Sequence, residues 1–195
     1  MFGPVVPPFH VQPGDAIMVL YIVIAIVILI AAILVLAAMK PDSFRLERRA
    51  TIQASPDKIF GLLNDFHKWA GWSPWEKLDP AMSRKFGGPE SGVGSSYECE
   101  GNSKAGKGRM EITESTPSSR ILLNLDFIKP FEAHNITEFN LVPNGQGAEL
   151  TWSMYGPSPF MSKVMTVFAS MDKMVGKEFE KGLANLKGIA ESTSA

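Results

Sequence analysis

Residues 159–191, PFMSKVMTVFASMDKMVGKEFEKGLANLKGIAE, decide the reading of this 195-residue chain. Val164, Phe168, Met171, Val175, Phe179, Leu183 and Leu186 recur at steps of four, three, four, four, four and three. At 3.6 residues per turn those positions fall on one stripe. Lys173, Lys177, Glu178, Lys181 and Lys187 occupy the other sides, and Glu178 stands three residues before Lys181, a spacing that supports a helix. The pattern predicts one long amphipathic helix over about 159–191. An apolar stripe of that length has to be buried against another element.

The preceding residues supply that element. Phe44 to Ala54 alternates, with Phe44, Leu46, Arg48, Ala50 and Ile52 on one side, and reads as an opening strand. Ser55 is a natural N-cap, Pro56 suits the first helical position and Asp57 favours the positive helix end, so a helix carrying Ile59, Phe60, Leu62 and Leu63 follows. The stretch Trp69-Ala-Gly-Trp-Ser-Pro-Trp75 then breaks regularity. From Met82 to Gly156 the chain reads as further strands joined by Gly, Pro, Asn and Ser turns. Tyr97 and Cys99 share a side opposite Glu98 and Glu100. Met110 and Ile112 alternate with charge, and Ile121, Leu123, Leu125 and Phe127 share a side. Asn144-Gly145-Gln-Gly147 is a hairpin signal between two more strands. Such strands give a sheet with one face covered and the other wet. The predicted fold is therefore α+β, a curved antiparallel sheet wrapped around the long C-terminal helix. A helix cannot fill both flanks of a curve, so a cavity is expected between them.

The N-terminal part is of a different kind. Residues 16–39, AIMVLYIVIAIVILIAAILVLAAM, are an uncharged, almost wholly apolar run. As a helix they extend about 36 Å, enough to cross a hydrocarbon core of about 30 Å. A signal peptide fits poorly, because no basic residue precedes the run and it exceeds a signal-peptide core. Lys40, Arg45, Arg48 and Arg49 follow it, which predicts a cytoplasmic C-terminal side. The expected organisation is a short outer tail (1–15), a single-pass transmembrane helix (16–39), a linker (40–43) and a soluble domain (44–195).

All 19 Lys and Arg lie at Lys40 or later, as do all the acidic residues except Asp15. The soluble part is thus formally neutral and offers no footprint for nucleic acid. A single cysteine, Cys99, excludes an internal disulfide framework and a multi-cysteine metal site. His10, His67 and His134 are too scattered to form a ligand pair. Gly92-Val93-Gly94 and Gly106-Lys107-Gly108 lack the remaining spacing of a phosphate loop and read as turns. No cofactor or metal is expected. Asn135-Ile136-Thr137 matches a glycosylation sequon, silent in a cytoplasmic domain.

Several stretches resemble the SRPBCC superfamily of START-like and polyketide cyclase/dehydrase-like helix-grip domains. Ile52-Gln-Ala-Ser-Pro-Asp-Lys-Ile-Phe60 is similar to that family's strand-to-helix junction. Leu63-Asn-Asp-Phe-His-Lys-Trp69 with Trp72-Ser-Pro-Trp75 is similar to the continuation, and Gly92-Val93-Gly94 to the turn before the third strand. Gly147 with Leu150-Thr-Trp152, and Gly182-Leu183 with Leu186-Lys187, also fit. The resemblance covers Arg45 to Ala190. It implies the helix-grip fold and an internal cavity, but not a particular activity, since the superfamily hosts lipid carriers, cyclases and chaperone activators alike.

Candidate pocket-lining residues are Trp72, Trp75, Tyr97, Met110, Phe127, His134, Trp152, Met154, Phe168 and Met171. Aromatic and methionine side chains suit a flat or flexible apolar guest. Tyr97 or His134 is expected to orient it. No catalytic constellation is visible. His67 and Asp65, two apart, do not face each other on a helix, and Glu98, Glu100, Glu111 and Glu114 read as a solvated sheet face. Cys99 reads as a buried inert thiol. The Trp72–Trp75 loop reads equally as a pocket gate, a membrane-interface contact or a packed plug. The expected function is a membrane-anchored binding domain for a hydrophobic small molecule or lipid, in a membrane that the resemblance makes a bacterial inner membrane. The alternatives are a cyclase/dehydratase-like enzyme on an apolar substrate and a chaperone-activator-like interaction module.

Overall fold

The computed structural model describes residues 13–130, 132–168 and 170–192; the tail up to residue 12, with His10, lies outside them. The elements run α1 (Pro13–Ala38), β1 (Ser43–Ile52), α2 (Pro56–Leu63), α3 (Trp69–Trp72), β2 (Ser83–Gly87), β3 (Ser96–Glu100), β4 (Lys107–Thr116), β5 (Arg120–Lys129), β6 (Ala133–Asn144), β7 (Gly147–Pro157), α4 (Phe160–Phe168) and α5 (Met171–Ser192). Two compact units result. One holds α1 and α4, and the other holds residues 41–159 with α5.

In the first unit α1 has 26 residues and is about 39 Å long. Its span Ala16–Ala38 has a mean hydropathy of 3.5 and is long and apolar enough to cross a membrane. α4 packs against α1. The sequence spacing predicts a single helix through 159–191, whereas the structure has two, α4 ending at Phe168 and α5 starting at Met171. Ser170 explains the division, because its Oγ accepts the Lys173 backbone N–H at 3.3 Å and caps a new helix start. Asp172 stands in the first turn of α5, at the positive end of the helix.

The second unit is a seven-stranded antiparallel sheet in the order β1-β7-β6-β5-β4-β3-β2. Register shifts in the β4–β5 ladder at Lys107/Gly108 and at Ile112/Glu114 bend the sheet. Gly145, at φ 63°, makes the two-residue turn that joins β6 to β7. α5 lies along β1. Arg48 binds Asp172 at 2.6 Å and Glu180 at 2.8 Å, Lys187 Nζ donates to the Thr51 carbonyl, and Glu191 accepts from the Gln53 N–H.

The pairing register sorts the inner face into rows. Ile52 pairs with Ala148, and Ala50 with Leu150, which pairs with Leu141. The next row holds Arg48, Trp152, Phe139 and Ile121, and the one after it Leu46, Met154, Thr137, Leu123 and Ile112. Ile52, Ala148, Leu150 and Leu141 are buried, and in the middle aromatic rings fill the space under α5. Trp152 stacks on Phe179 at 4.1 Å and meets Trp72 edge-on at 5.6 Å, and Trp72 and Phe139 are 6.3 Å apart. Gly182 lets the helix approach this closely. A Cβ there would stand 2.8 Å from the Trp152 ring.

The Trp-rich stretch is a packed plug. Trp69 and Trp72 are buried, and their indole N–H groups donate to the Leu63 and Leu62 carbonyls at 3.0 and 3.3 Å. Those carbonyls belong to the last turn of α2 and have no partner within the helix. α2 itself starts as its sequence implies, with Ser55 as N-cap and Pro56 in the first turn.

The Trp152–Phe179 stack ties the sheet to the helix. Phe179→Ala is expected to destabilise the fold by about 3–5 kcal/mol, the usual range for emptying a buried aromatic site. Urea unfolding followed by far-UV circular dichroism measures this.

Candidate functional site

Beyond the Leu46–Ile112 row the cover thins. The next row holds Asn135, Leu125, Met110 and Tyr97, and the last holds Phe127, Gly108 and Cys99. Leu125, Met110 and Cys99 are half-buried, and Phe127 is 38% exposed. Gly108 pairs with Phe127 and supplies no side chain, so one flank of that ring is left bare. Phe44 on β1, Trp75 in the turn before β2, and Val175 on α5 are also half-buried and pack on the edge of the core. The result is an apolar surface at one end of the sheet's concave face. The opposite end is closed by α2 and the C-terminal half of α5, with Ile59, Leu63, Leu186 and Ala190 fully buried.

Polar groups interrupt this surface in a particular way. Asn135 is only 7% exposed and Thr137 is buried beside it. Among the described residues, the Asn135 carboxamide oxygen and the Trp152 indole N–H are buried without a hydrogen-bond partner. Such groups cost of the order of 1–3 kcal/mol each unless something satisfies them. A Cβ on residue 156 would overlap Asn135 Oδ1, so Gly156 makes the space that this oxygen occupies.

A second polar feature stands at the β3 side. Tyr97 donates to Glu76 Oε1, and Arg84 Nε binds Glu76 Oε2 at 2.7 Å. Arg84 also donates to the Glu76 and Met82 carbonyls. The Glu76 side chain is 7% exposed. Burial, and then the adjoining Glu76 carboxylate, push the Tyr97 hydroxyl above its ordinary range, so it stays protonated as a donor. Burial likewise pushes the Cys99 thiol up and keeps it un-ionised.

The structure brings together Trp75, Tyr97, Met110, Phe127, Trp152 and Met154 of the residues singled out from the sequence, along one inner face. Trp72 belongs instead to the filled centre. Met171 is half-buried in the first turn of α5. Two others lie apart from that group. His134 takes the opposite parity from Asn135 and points outward, where its side chain is 79% exposed and bonds Asp126 at 2.7 Å. Phe168 ends α4, in the other unit, and is 73% exposed. Aromatic rings occupy the middle of the sheet–helix space, and the uncovered surface lies at one end.

Asn135, Thr137, Leu125, Glu76 and Arg84 were missed. For Asn135 and Thr137 the signal was present. Phe139 and Leu141 set the inward parity of β6, and positions 135 and 137 share it. Burial of Asn135 also closes the sequon to modification.

The convex face is a lattice of ion pairs. Arg120 binds Glu138 at 2.8 Å and Glu114 at 2.5 Å, and Arg109 binds Glu111 at 2.5 Å. Glu98, Glu100, Glu111 and Glu114 all serve there, as the alternation predicts. Asp65 and His67 do meet, at 2.9 Å, contrary to the helical argument. Asp65 is the extended N-cap of a short turn, so side chains two apart converge. A shallow depression of about 430 Å³ lies at the strand tips, between Glu100–Ser103 and Lys129-Pro130.

A curved antiparallel sheet closed over one long helix, with an apolar inner face, defines a helix-grip domain. The chain belongs to the polyketide cyclase / dehydrase and lipid transport family, whose model matches residues 43–191. Solved structures share the fold at low identity. Protein CV1439 from Chromobacterium violaceum is 20% identical with a TM-score of 0.53, over 77% of this chain and 99% of its own. Protein MLL2253 from Mesorhizobium loti is 17% identical with a TM-score of 0.56, over 78% and 100%. The Aha1 dimer from Colwellia psychrerythraea is 16% identical with a TM-score of 0.52, over 78% and 99%. No curated protein matches the sequence.

Two predictions follow from these geometries. Tyr97→Phe leaves a buried Glu76 oxygen without its donor and is expected to cost about 1–3 kcal/mol, read by urea unfolding. His134 is held above its ordinary pKa by its hydrogen bond to Asp126 and the charge of that carboxylate. Its contribution is therefore full below the ordinary histidine value and lost as pH rises through the raised one. An NMR titration of His134 should show the raised midpoint, and Asp126→Asn should return it toward the ordinary value.

Proposed function

We propose that residues 41–192 (α4 aside) bind a hydrophobic small molecule or lipid on the open end of the concave face, and that α1 anchors this domain in a membrane. The observation that carries the reading is an apolar surface, Phe127, Leu125, Met110 and Cys99, with the buried and unpartnered Asn135 oxygen in its adjoining row. Bare apolar area gives the driving force, about 25 cal/mol per Å² removed from water before ordering costs. The Asn135 oxygen can accept a hydrogen bond, so a guest with a single polar donor on an apolar body suits this surface. The family description, which includes lipid transport, supports this class of ligand.

The membrane role rests on α1, whose length and hydropathy meet the requirement of a bilayer. Lys40, Arg45, Arg48 and Arg49 follow the segment and favour a cytoplasmic domain, and the family resemblance favours a bacterial inner membrane. Holding the domain beside the bilayer would place it near the phase from which an oily ligand partitions.

A second reading has its own observation. The Tyr97–Glu76 pair puts two titratable groups at the inner face, as an acid–base catalyst on an apolar substrate requires. Against it, the Arg84 guanidinium already engages the Glu76 side chain, and the raised Tyr97 holds its proton.

Titration of the full chain in lipid nanodiscs with a dansyl-labelled fatty acid tests both. Energy transfer from Trp75 and Trp152 should saturate at micromolar probe. Leu125→Trp, which fills the surface, should weaken binding at least tenfold with the circular dichroism unchanged. Asn135→Leu should weaken it by about fivefold, one lost hydrogen bond. Tyr97→Phe should bind as before under the binding reading. No saturable signal, or Leu125→Trp binding like the parent chain, would contradict the assignment.

A further inference from the structure

α4 carries its apolar side outward. Phe160 is 51% exposed, Met161 62%, Met165 39% and Phe168 73%. On a helical wheel Met161, Met165 and Phe168 lie within about 60° of one another, and Phe160 extends the same side. Ser162 and Thr166 fall on the other side, and Lys163 is buried. A helix in water arranges itself the other way round, with phenylalanine and methionine covered and polar groups outside.

The surface continues another. α4 packs against α1, within the same compact unit. Among the described side chains of α1, Ala37 is buried and Ile33 half-buried, while the rest are exposed. The contact therefore lies in the last turns of α1. That is where a membrane-crossing helix reaches the headgroup boundary, just before Lys40 and Pro41. The apolar side of α4 and the apolar surface of α1 belong to one body.

We infer that α4 is an in-plane membrane element. It lies at the headgroup–acyl boundary of the leaflet that holds the C-terminal end of α1, with Met161, Met165 and Phe168 in the lipid. This rests on the reading of α1 as a bilayer segment and adds a second, non-spanning contact to it. Interfacial helices bury their apolar side about 5–10 Å deep, a depth that a nine-residue helix lying flat can reach with each of these side chains. The consequence concerns chain connection. α4 joins the end of β7 to the start of α5, so two elements of the binding domain are tied to the bilayer through it, besides the link through β1.

Nitroxide depth measurement on the full chain in vesicles of mixed phosphatidylcholine and phosphatidylglycerol tests this. Single cysteines replace Met165, Phe168, Ser162 and, as a reference in α1, Ile24, all in a Cys99→Ala background. All but Ser162 are exposed positions, so their labels leave the packing intact. Labels at 165 and 168 should favour oxygen over a water-soluble nickel complex severalfold more than the label at 162, and the label at 24 should be the deepest. A deep label at 24 with 165 and 168 as nickel-accessible as 162 would overturn the α4 assignment while leaving the α1 reading in place. A nickel-accessible label at 24 would remove the anchoring reading itself, and the α4 assignment with it.

Discussion

The unequal covering of one sheet by one helix governs this molecule. α5 has to hide the concave face of seven strands, and it does so along one line. Trp152 stacking on Phe179, with Gly182 permitting the approach, fixes the height of the helix above the sheet. Once that height is set, α2 and the C-terminal half of α5 close one end with aliphatic side chains. At the other end Leu125 is left half-buried and Phe127 38% exposed. The apolar surface proposed as the binding site is thus a consequence of where the helix is pinned.

The same pinning explains the distribution of polar groups. The convex face can afford charge because it is wet, and its Arg–Glu lattice contributes little per pair. On the concave face, Asn135, Thr137 and the Tyr97–Glu76–Arg84 group stand near the uncovered end, and Arg48 meets α5 through Asp172 and Glu180. The last of these satisfies its own members and holds the β2–β3 edge to the turn at 74–77. Asn135 and Trp152 differ in keeping a buried polar atom unpaired. That difference separates a structural polar cluster from a candidate recognition point.

Much of the fold was legible because it rests on local rules. The period-two runs gave the strands, Asn144–Gly147 the hairpin, and Ser55-Pro56-Asp57 the start of α2. The C-terminal stripe gave α5, but its spacing ran unbroken across 169–170. There the Ser170-Met171-Asp172 capping signal competes with periodicity, and the cap prevailed. The site was less legible, since it depends on which rows the helix leaves bare. That is a matter of tertiary packing, not of local pattern. Chemistry alone points to His134, whereas the parity of Phe139 and Leu141 places Asn135 inward. Trp72 was chosen as an aromatic in a loop, when its role is to cap α2 and fill the centre.

The most direct test asks whether the bare end of the concave face holds a guest in the cell. Native mass spectrometry of the full chain, released from nanodiscs prepared without detergent, weighs the protein together with whatever it carries. The account predicts a one-to-one adduct of an apolar small molecule in the parent chain, lost when Leu125 is replaced by tryptophan. A parent chain that flies at its bare mass, or an adduct indifferent to that replacement, would contradict it.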